Sequence, residues 1–180
     1  SGVDRRQAGG HRRRMRVTLK PHPTTLGPDI EITVEGERRG ARLWLRYVTE
    51  GDVDSLQWPT PAQGRADGLW KSTCFEVFVR TADGYREFNL SPSGQWASYR
   101  FDGYRAGMAE AAETAEPPLL DGGADYVGLE AVIDLPPGAT TLGLSAVIEE
   151  IDGRISYWAL AHPSDKPDFH HPSSFVLELP

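Results

Sequence analysis

Glu76 is a carboxylate on a strand face that is otherwise apolar. The sequence pattern places Glu76 between Cys74 and Phe78, opposite a second face that is wholly apolar. A carboxylate removed from water needs a cation or hydrogen-bond donors beside it. Two interpretations stay open: an ion pair with an arginine such as Arg86 or Arg100, or a carboxylate held to bind ligand hydroxyl groups.

Further polar and aromatic side chains lie on the two predicted strands that follow. Alternation groups Tyr85, Glu87 and Asn89 on one face of the first strand and Trp96, Ser98 and Arg100 on one face of the second. Carboxylates and amides bind sugar hydroxyls, while aromatic rings pack on the C–H faces of a sugar. The pattern therefore favours a saccharide or polyol site, with a solvated amphipathic sheet as the alternative.

A histidine-rich loop near the end of the chain is the other candidate site. His162, Asp168, His170 and His171 lie within ten residues, and their side chains are of the kinds that ligate metals. Neighbouring histidines in a loop usually point apart, and no helical spacing fixes their geometry. The loop supports a second hypothesis, a metal-dependent or hydrolytic enzyme. An interaction domain without a small ligand is the third.

Strands must position these side chains. Period-two alternation recurs along the chain and predicts about nine strands, separated by turns rich in Gly and Pro. Strands without helices between them indicate antiparallel sheets. We therefore predict an all-β fold, an antiparallel β-sandwich of jelly-roll type with immunoglobulin-like layers. The residues expected in its core include Phe75, Val77, Val79, Leu129, Ile133, Leu144 and Ile148.

Local signals refine this prediction at three places. The pairs Asp83-Gly84 and Asp152-Gly153 predict tight hairpins, because Asp-Gly tolerates the positive φ that type I′ turns need. The segment 106–115 is rich in Ala and Glu but is short and is followed by two prolines. We predict a loop with one or two helical turns there.

The composition is that of one globular domain. The chain has 180 residues, of which 39% are hydrophobic and 25% are charged, a balance too apolar for a disordered chain. The single cysteine, Cys74, excludes an intramolecular disulfide and a zinc site built from cysteines. No apolar run approaches the length of about 20 residues that spans a bilayer, and no secretory signal is recognised. We therefore expect a cytoplasmic protein without a membrane partner.

The charge is unevenly distributed. Residues 1–16 contain six arginines and one acid, whereas the rest of the chain carries 13 basic and 25 acidic side chains. The acidic body disfavours nucleic acid as a partner. A nucleic-acid arm is the alternative for the basic segment, but no aromatic residue is present there to stack on a base. We predict a disordered leader at 1–16, with Met15 as a candidate initiator, and a single domain at 17–180.

Three segments resemble a known family. They are LWKSTCFEVF at 69–78, YREFNLSPSGQWA at 85–97 and SYWALAHP at 156–163. These segments are similar to the small bacterial DOMON-like proteins, which are related to family 9 carbohydrate-binding modules. The resemblance extends over residues 17–180, is most specific in the middle segment, and implies a jelly-roll β-sandwich that binds a ligand on one sheet or at its rim.

The resemblance also implies particular site residues. In the carbohydrate-binding relatives, two tryptophans clamp a terminal sugar and a glutamate on a central strand binds its hydroxyls. Trp70 and Trp158 match the rings and Glu76 matches the carboxylate, while Arg86, Asn89 and Arg100 are looser matches.

The chain also departs from its relatives. The carbohydrate modules often hold calcium, but Asp121 and Asp125 are too sparse to form a calcium loop. Other DOMON domains bind haem through Met and His, and here the methionines are Met15 and Met108 alone. We therefore expect no cofactor and predict a non-catalytic protein that binds a saccharide or another small polar ligand.

Overall fold

The computed structural model describes residues 14–180, and these form an all-β fold. Its strands are β1 (Arg14–Pro21), β2 (Ile30–Arg39), β3 (Arg42–Gly51), β4 (Cys74–Thr81), β5 (Gly84–Leu90), β6 (Trp96–Phe101), β7 (Ala109–Glu110), β8 (Leu119–Gly122), β9 (Tyr126–Asp134), β10 (Thr141–Glu149), β11 (Ile155–Ala159) and β12 (Leu177–Glu178). Short 3-10 helices occupy Val53–Ser55, Leu69–Lys71 and Pro172–Ser174. Within residues 14–180, no helix has the length and apolar character needed to cross a membrane.

All strands pair antiparallel, in the order β7-β6-β5-β4-β10-β11-β1-β2-β3-β9-β8, and β12 pairs with β10. The strand β1 joins two halves of this sheet, because residues 14–19 pair with β2 while Lys20 and Pro21 pair with β11. The all-β antiparallel prediction is confirmed. The nine-strand sandwich is corrected to one sheet of 12 strands that curls so that its halves face each other.

The core lies between the two halves. The ring of Tyr47 on β3 packs on that of Phe75 on β4, with centroids 4.9 Å apart, and the Tyr47 hydroxyl donates to the Glu76 carbonyl at 2.8 Å. All seven residues predicted for the core are buried in it. This packing follows from alternation, since each strand turns its apolar side chains to one face.

The turns differ in detail from their predictions. Hairpins connect β4 to β5 and β10 to β11 as expected. At both hairpins the positive φ occurs at the glycine, Gly84 or Gly153, and not at the aspartate before it, so neither turn is of type I′. Residues 106–115 form no helical turn, because Ala109 and Glu110 pair instead with β6 as the edge strand β7.

The predicted leader boundary also changes. The strand β1 begins at Arg14, whose Nε donates to the Glu37 carboxylate at 2.9 Å, and Met15 packs against the core. Residues 14–16 therefore belong to the sheet. The rest of the predicted leader, residues 1–13, lies outside the described residues.

Candidate functional site

A cavity of about 450 Å³ opens on the outer face of β4, β5, β6, β10 and β11. The loops at 102–108 and 160–176 lie beside the cavity and contribute residues to its lining. Its lining comprises Trp70, Glu76, Glu87, Asn89, Tyr99, Phe101, Arg105, Met108, Val147, Tyr157, Pro167, Phe169 and His170. The sheet face opposite the core therefore carries a pocket with a polar floor and aromatic walls.

Two buried carboxyl groups form the floor. Glu76 on β4 is 2% exposed and Glu87 on β5 is 6% exposed. The Asn89 amide nitrogen lies 3.1 Å from one Glu76 oxygen and 3.2 Å from one Glu87 oxygen, in the amide orientation that makes it the donor to both. The Ser145 hydroxyl donates to the other Glu76 oxygen at 3.4 Å. The floor is therefore a linked set of donors and acceptors.

The two carboxyls also perturb each other's ionisation. Burial raises the pKa of Glu76 well above its usual value, and the neighbouring Glu87 charge raises it further. Burial likewise raises the pKa of Glu87 to about 7. The Asn89 amide links the two carboxyls, which are close enough for the charge of one to disfavour ionisation of the other. At neutral pH the pair retains a proton that an exposed glutamate would have lost.

Aromatic side chains form the walls. Tyr99 and Phe101 rise from β6, and the Tyr99 hydroxyl donates to Asp67, which fixes its ring. Tyr157 on β11 and Phe169 from the following loop contact each other, with ring centroids 6.0 Å apart. Trp70 is 54% exposed at the rim, on the short helix Leu69–Lys71. Aromatic faces are thus available beside the polar floor.

A hydrogen-bonded chain closes one side of the pocket. The Arg105 backbone N–H donates to the Tyr85 hydroxyl at 3.1 Å, and that hydroxyl lies 2.8 Å from His170 Nδ1. The His170 Nε2 faces Glu87 at 3.9 Å. Burial lowers the pKa of His170 to about 4, so the ring is neutral at neutral pH. The tautomer that fits these contacts accepts the tyrosine proton at Nδ1 and carries its own at Nε2.

Arg105 and Asp168 tie the two loops together. The Arg105 guanidinium donates to Asp168 at 2.8 Å, and the Tyr104 hydroxyl donates to the same carboxylate. The Arg105 backbone has a φ of 51°, the one positive value among the non-glycine residues described. These contacts hold the loops at the mouth of the pocket in a defined position.

The structure brings together three of the predicted site residues, namely Trp70, Glu76 and Asn89. Trp158 is 4% exposed in the core, and its indole N–H donates to Ser156 at 2.8 Å. It belongs to the inner face of β11, so the expected cleft between Trp70 and Trp158 does not form. The neighbouring Tyr157 faces the pocket instead, and alternation along the strand already separates the two side chains.

The two arginines also lie away from the pocket. Arg86 and Arg100 stand opposite each other on the face of β5 and β6 that Glu87 does not share. Arg86 is paired with Glu113 at 2.6 Å, and Arg100 is exposed. Glu76 therefore has neither arginine as its partner, and the carboxyl that accompanies it is Glu87.

The histidine loop shows no metal geometry. The Nε2 of His162 lies 2.6 Å from the Lys20 carbonyl, His171 accepts from the Ser173 backbone N–H, and Asp168 is bound by Arg105. Within residues 14–180, no three His, Cys, Asp or Glu side chains are grouped for a metal ion. Of the four residues proposed as metal ligands, His170 alone lines the pocket.

Comparisons with known proteins give a structural likeness. No protein-family model and no curated protein matches the chain. Among solved structures, it is similar to a "putative carbohydrate-binding protein" from Bacteroides uniformis ATCC 8492, with a TM-score of 0.56 over 87% of this chain and 83% of the other. The two sequences are 17% identical, so the likeness concerns the fold.

Proposed function

We propose that this protein is a non-catalytic binding protein that holds a saccharide or similar polyol in the outer-face pocket. The observation that carries the proposal is the floor, where Glu76, Glu87 and Asn89 are buried in mutual contact yet line an open cavity. Buried polar side chains gathered in a cleft are the usual mark of a ligand site.

The chemistry of the lining suits a polyol. A pair of carboxyls that retains one proton offers both a donor and acceptors, and Asn89 adds an amide group to them. Trp70, Tyr157 and Phe169 offer ring faces for the C–H faces of a sugar. A volume of about 450 Å³ falls in the range of small-molecule sites.

Two likenesses support the same class of ligand. The segments that resemble DOMON-like proteins and family 9 carbohydrate-binding modules supply Trp70, Glu76 and Asn89 to this pocket. The structural neighbour is named for carbohydrate binding. We propose that Tyr157 supplies the second aromatic ring that packs on the sugar, because Trp158 lies in the core.

The carboxyl pair favours binding over glycoside hydrolysis. Glycosidases hold their two carboxyls at least about 5 Å apart, so that the sugar carbon or a water fits between them. The amide nitrogen of Asn89 instead lies between Glu76 and Glu87, 3.1 Å and 3.2 Å from an oxygen of each, so the space between the two carboxyls is already occupied.

A saccharide array followed by titration calorimetry tests the proposal. We expect Trp70→Ala to weaken binding by about 1–3 kcal/mol, the usual loss for a well-placed aromatic contact, without lowering the melting temperature. Trp44→Ala is the matched control, because Trp44 lies on the other half of the sheet, away from the pocket, where its indole N–H donates a hydrogen bond to Glu130. An array without any bound saccharide, or an equal loss in both variants, would contradict the proposal and favour an interaction domain.

A further inference from the structure

The carboxyl pair at the pocket floor lacks a cationic partner. Within residues 14–180, neither Glu76 nor Glu87 forms an ion pair with a lysine or an arginine. The nearest basic group is the His170 ring, 3.9 Å from Glu87, and this ring is neutral at neutral pH. Buried carboxylates are normally paired, so the floor can accept a positive charge that the described chain does not supply.

The other charges around the pocket do not fill this role. The titratable groups that surround the pair from the adjoining strands and loops are Tyr47, Cys74, Tyr85, Tyr99, Arg105, Asp168 and His170. Of these, Arg105 carries a positive charge at neutral pH, and its guanidinium is bound to Asp168 at 2.8 Å. The Asp168 carboxylate thereby balances the Arg105 charge at the rim, and the floor remains acidic.

The walls are also suited to a cation. The faces of Trp, Tyr and Phe rings attract an ammonium group through their quadrupole, most strongly in a desolvated site. Trp70, Tyr99, Phe101, Tyr157 and Phe169 all line this pocket. An acidic floor within aromatic walls is complementary to a small cationic group.

This inference rests on the proposed saccharide function and specifies its ligand: we propose that the floor receives a protonated amine, so that the preferred ligands are amino sugars with a free ammonium group. The ammonium donates hydrogen bonds to the Glu76 and Glu87 oxygens and replaces the proton that the pair retains. That proton leaves to the solvent, and no covalent bond to carbon forms or breaks.

Three matched sugars test the inference by titration calorimetry at pH 7. Glucosamine carries the ammonium, glucose has a hydroxyl at that position, and N-acetylglucosamine keeps the nitrogen without its charge. We expect glucosamine to bind about 10-fold or more tightly than the other two, the scale of a charge-assisted hydrogen bond. Repeating the titration in buffers of different ionisation enthalpy should reveal proton release with glucosamine and none with glucose. Affinity for glucosamine should fall as the pH is lowered from 7 to 5.

Variants locate the effect at the floor. Glu76→Gln should reduce glucosamine binding to the level of glucose, whereas Glu130→Gln, which removes the same charge on the other half of the sheet, should retain the preference. If Glu76→Gln does not fold, Glu87→Gln carries the same comparison.

The outcomes separate this inference from the proposed function. Equal affinity for glucose and glucosamine would overturn the inference while saccharide binding stands. A plain amine such as ethylamine binding as tightly as glucosamine would support the ammonium site and overturn the saccharide function. Absence of binding by every sugar and amine would overturn both.

Discussion

At the scale of single residues, the register of one strand pair explains the floor of the pocket. β4 and β5 pair with Glu76 opposite Asn89 and with Phe78 opposite Glu87. Glu76 and Glu87 are therefore diagonal neighbours on one face, close enough for long side chains to meet, and Asn89 links them. Because water is largely excluded there, the acid form is favoured and both pKa values rise.

The raised pKa values predict how stability depends on pH. The Glu87 carboxyl loses its proton near pH 4.5 in the unfolded chain, whereas the folded protein holds that proton up to about pH 7. The free energy of unfolding that this difference contributes is therefore complete below pH 4.5 and is lost as the pH rises through about 7. Glutamine keeps the shape of the neutral acid but does not ionise. From pH 5 to pH 8, Glu87→Gln should therefore gain roughly 2–3 kcal/mol in free energy of unfolding relative to the parent.

Urea unfolding across this pH range measures the difference. The lowered pKa of His170 makes the free energy of unfolding rise with pH between pH 4 and 6.5, opposite to the effect of Glu87. Because variant and parent both contain His170, comparing them largely cancels this effect. Glu130→Gln serves as a control on the other half of the sheet. If the difference in free energy of unfolding between Glu87→Gln and the parent stays constant from pH 5 to 8, Glu87 ionises like an exposed glutamate.

At the scale of elements, the β4–β5 hairpin sets the register that brings the carboxyls together. Its turn depends on Gly84, which has a φ of 145° and lies against the carbonyl of Phe101 on β6. A Cβ at this position would fall 1.9 Å from that oxygen. Glycine is therefore required both for the backbone conformation and for the close approach of the third strand.

Gly84→Ala should destabilise the protein by more than about 1 kcal/mol, the scale of placing a side chain at an unsuitable φ, because β6 must also move away from β5. Thermal unfolding monitored by circular dichroism measures the loss. Gly153→Ala is the matched control: it has a positive φ in the β10–β11 hairpin but no atom within 4 Å of its added Cβ. Equal losses in the two variants would mean that the contact with Phe101 contributes nothing.

Alternation in the sequence predicts most of the long strands and the core, because each of these strands keeps one apolar face. It misses β7 and β8, which are two and four residues long and carry no buried side chain. It also misses β1, where arginines surround the apolar residues. Glu76 and Asn89 were identifiable as polar residues on a sheet face, but the contact of Glu76 with Glu87 depends on register. The parts played by Arg105 and Phe169 depend on loops that pack across the sheet, which alternation does not describe.

At the scale of the whole molecule, β1 joins the two halves into one continuous sheet. Its first six residues extend the half that contains β2, β3 and β9, and its last two pair with β11 in the half that carries the pocket. The core between the halves receives Val17 and Leu19 from the same strand. Unfolding should thus be a single cooperative event.

A pair of truncations tests the importance of this connection. A chain that begins at Arg14 keeps every β1 pair, whereas a chain that begins at Lys20 loses the pairing with β2 and the burial of Leu19. We expect the first chain to melt in one calorimetric transition. The second should lose several kcal/mol, on the scale of removing a large buried side chain together with a strand. Similar melting temperatures for the two chains would show that the halves hold together without β1.

The arrangement of β4 makes this fold a suitable scaffold for engineering. Phe75 and Val77 point into the core, while Glu76 between them points into the pocket. Along β5, Phe88 is likewise buried in the core between Glu87 and Asn89. A library randomised at Glu76, Glu87 and Asn89 would therefore alter the recognition surface while leaving the packed layer beneath it in place, so new specificities could be selected on an unchanged framework.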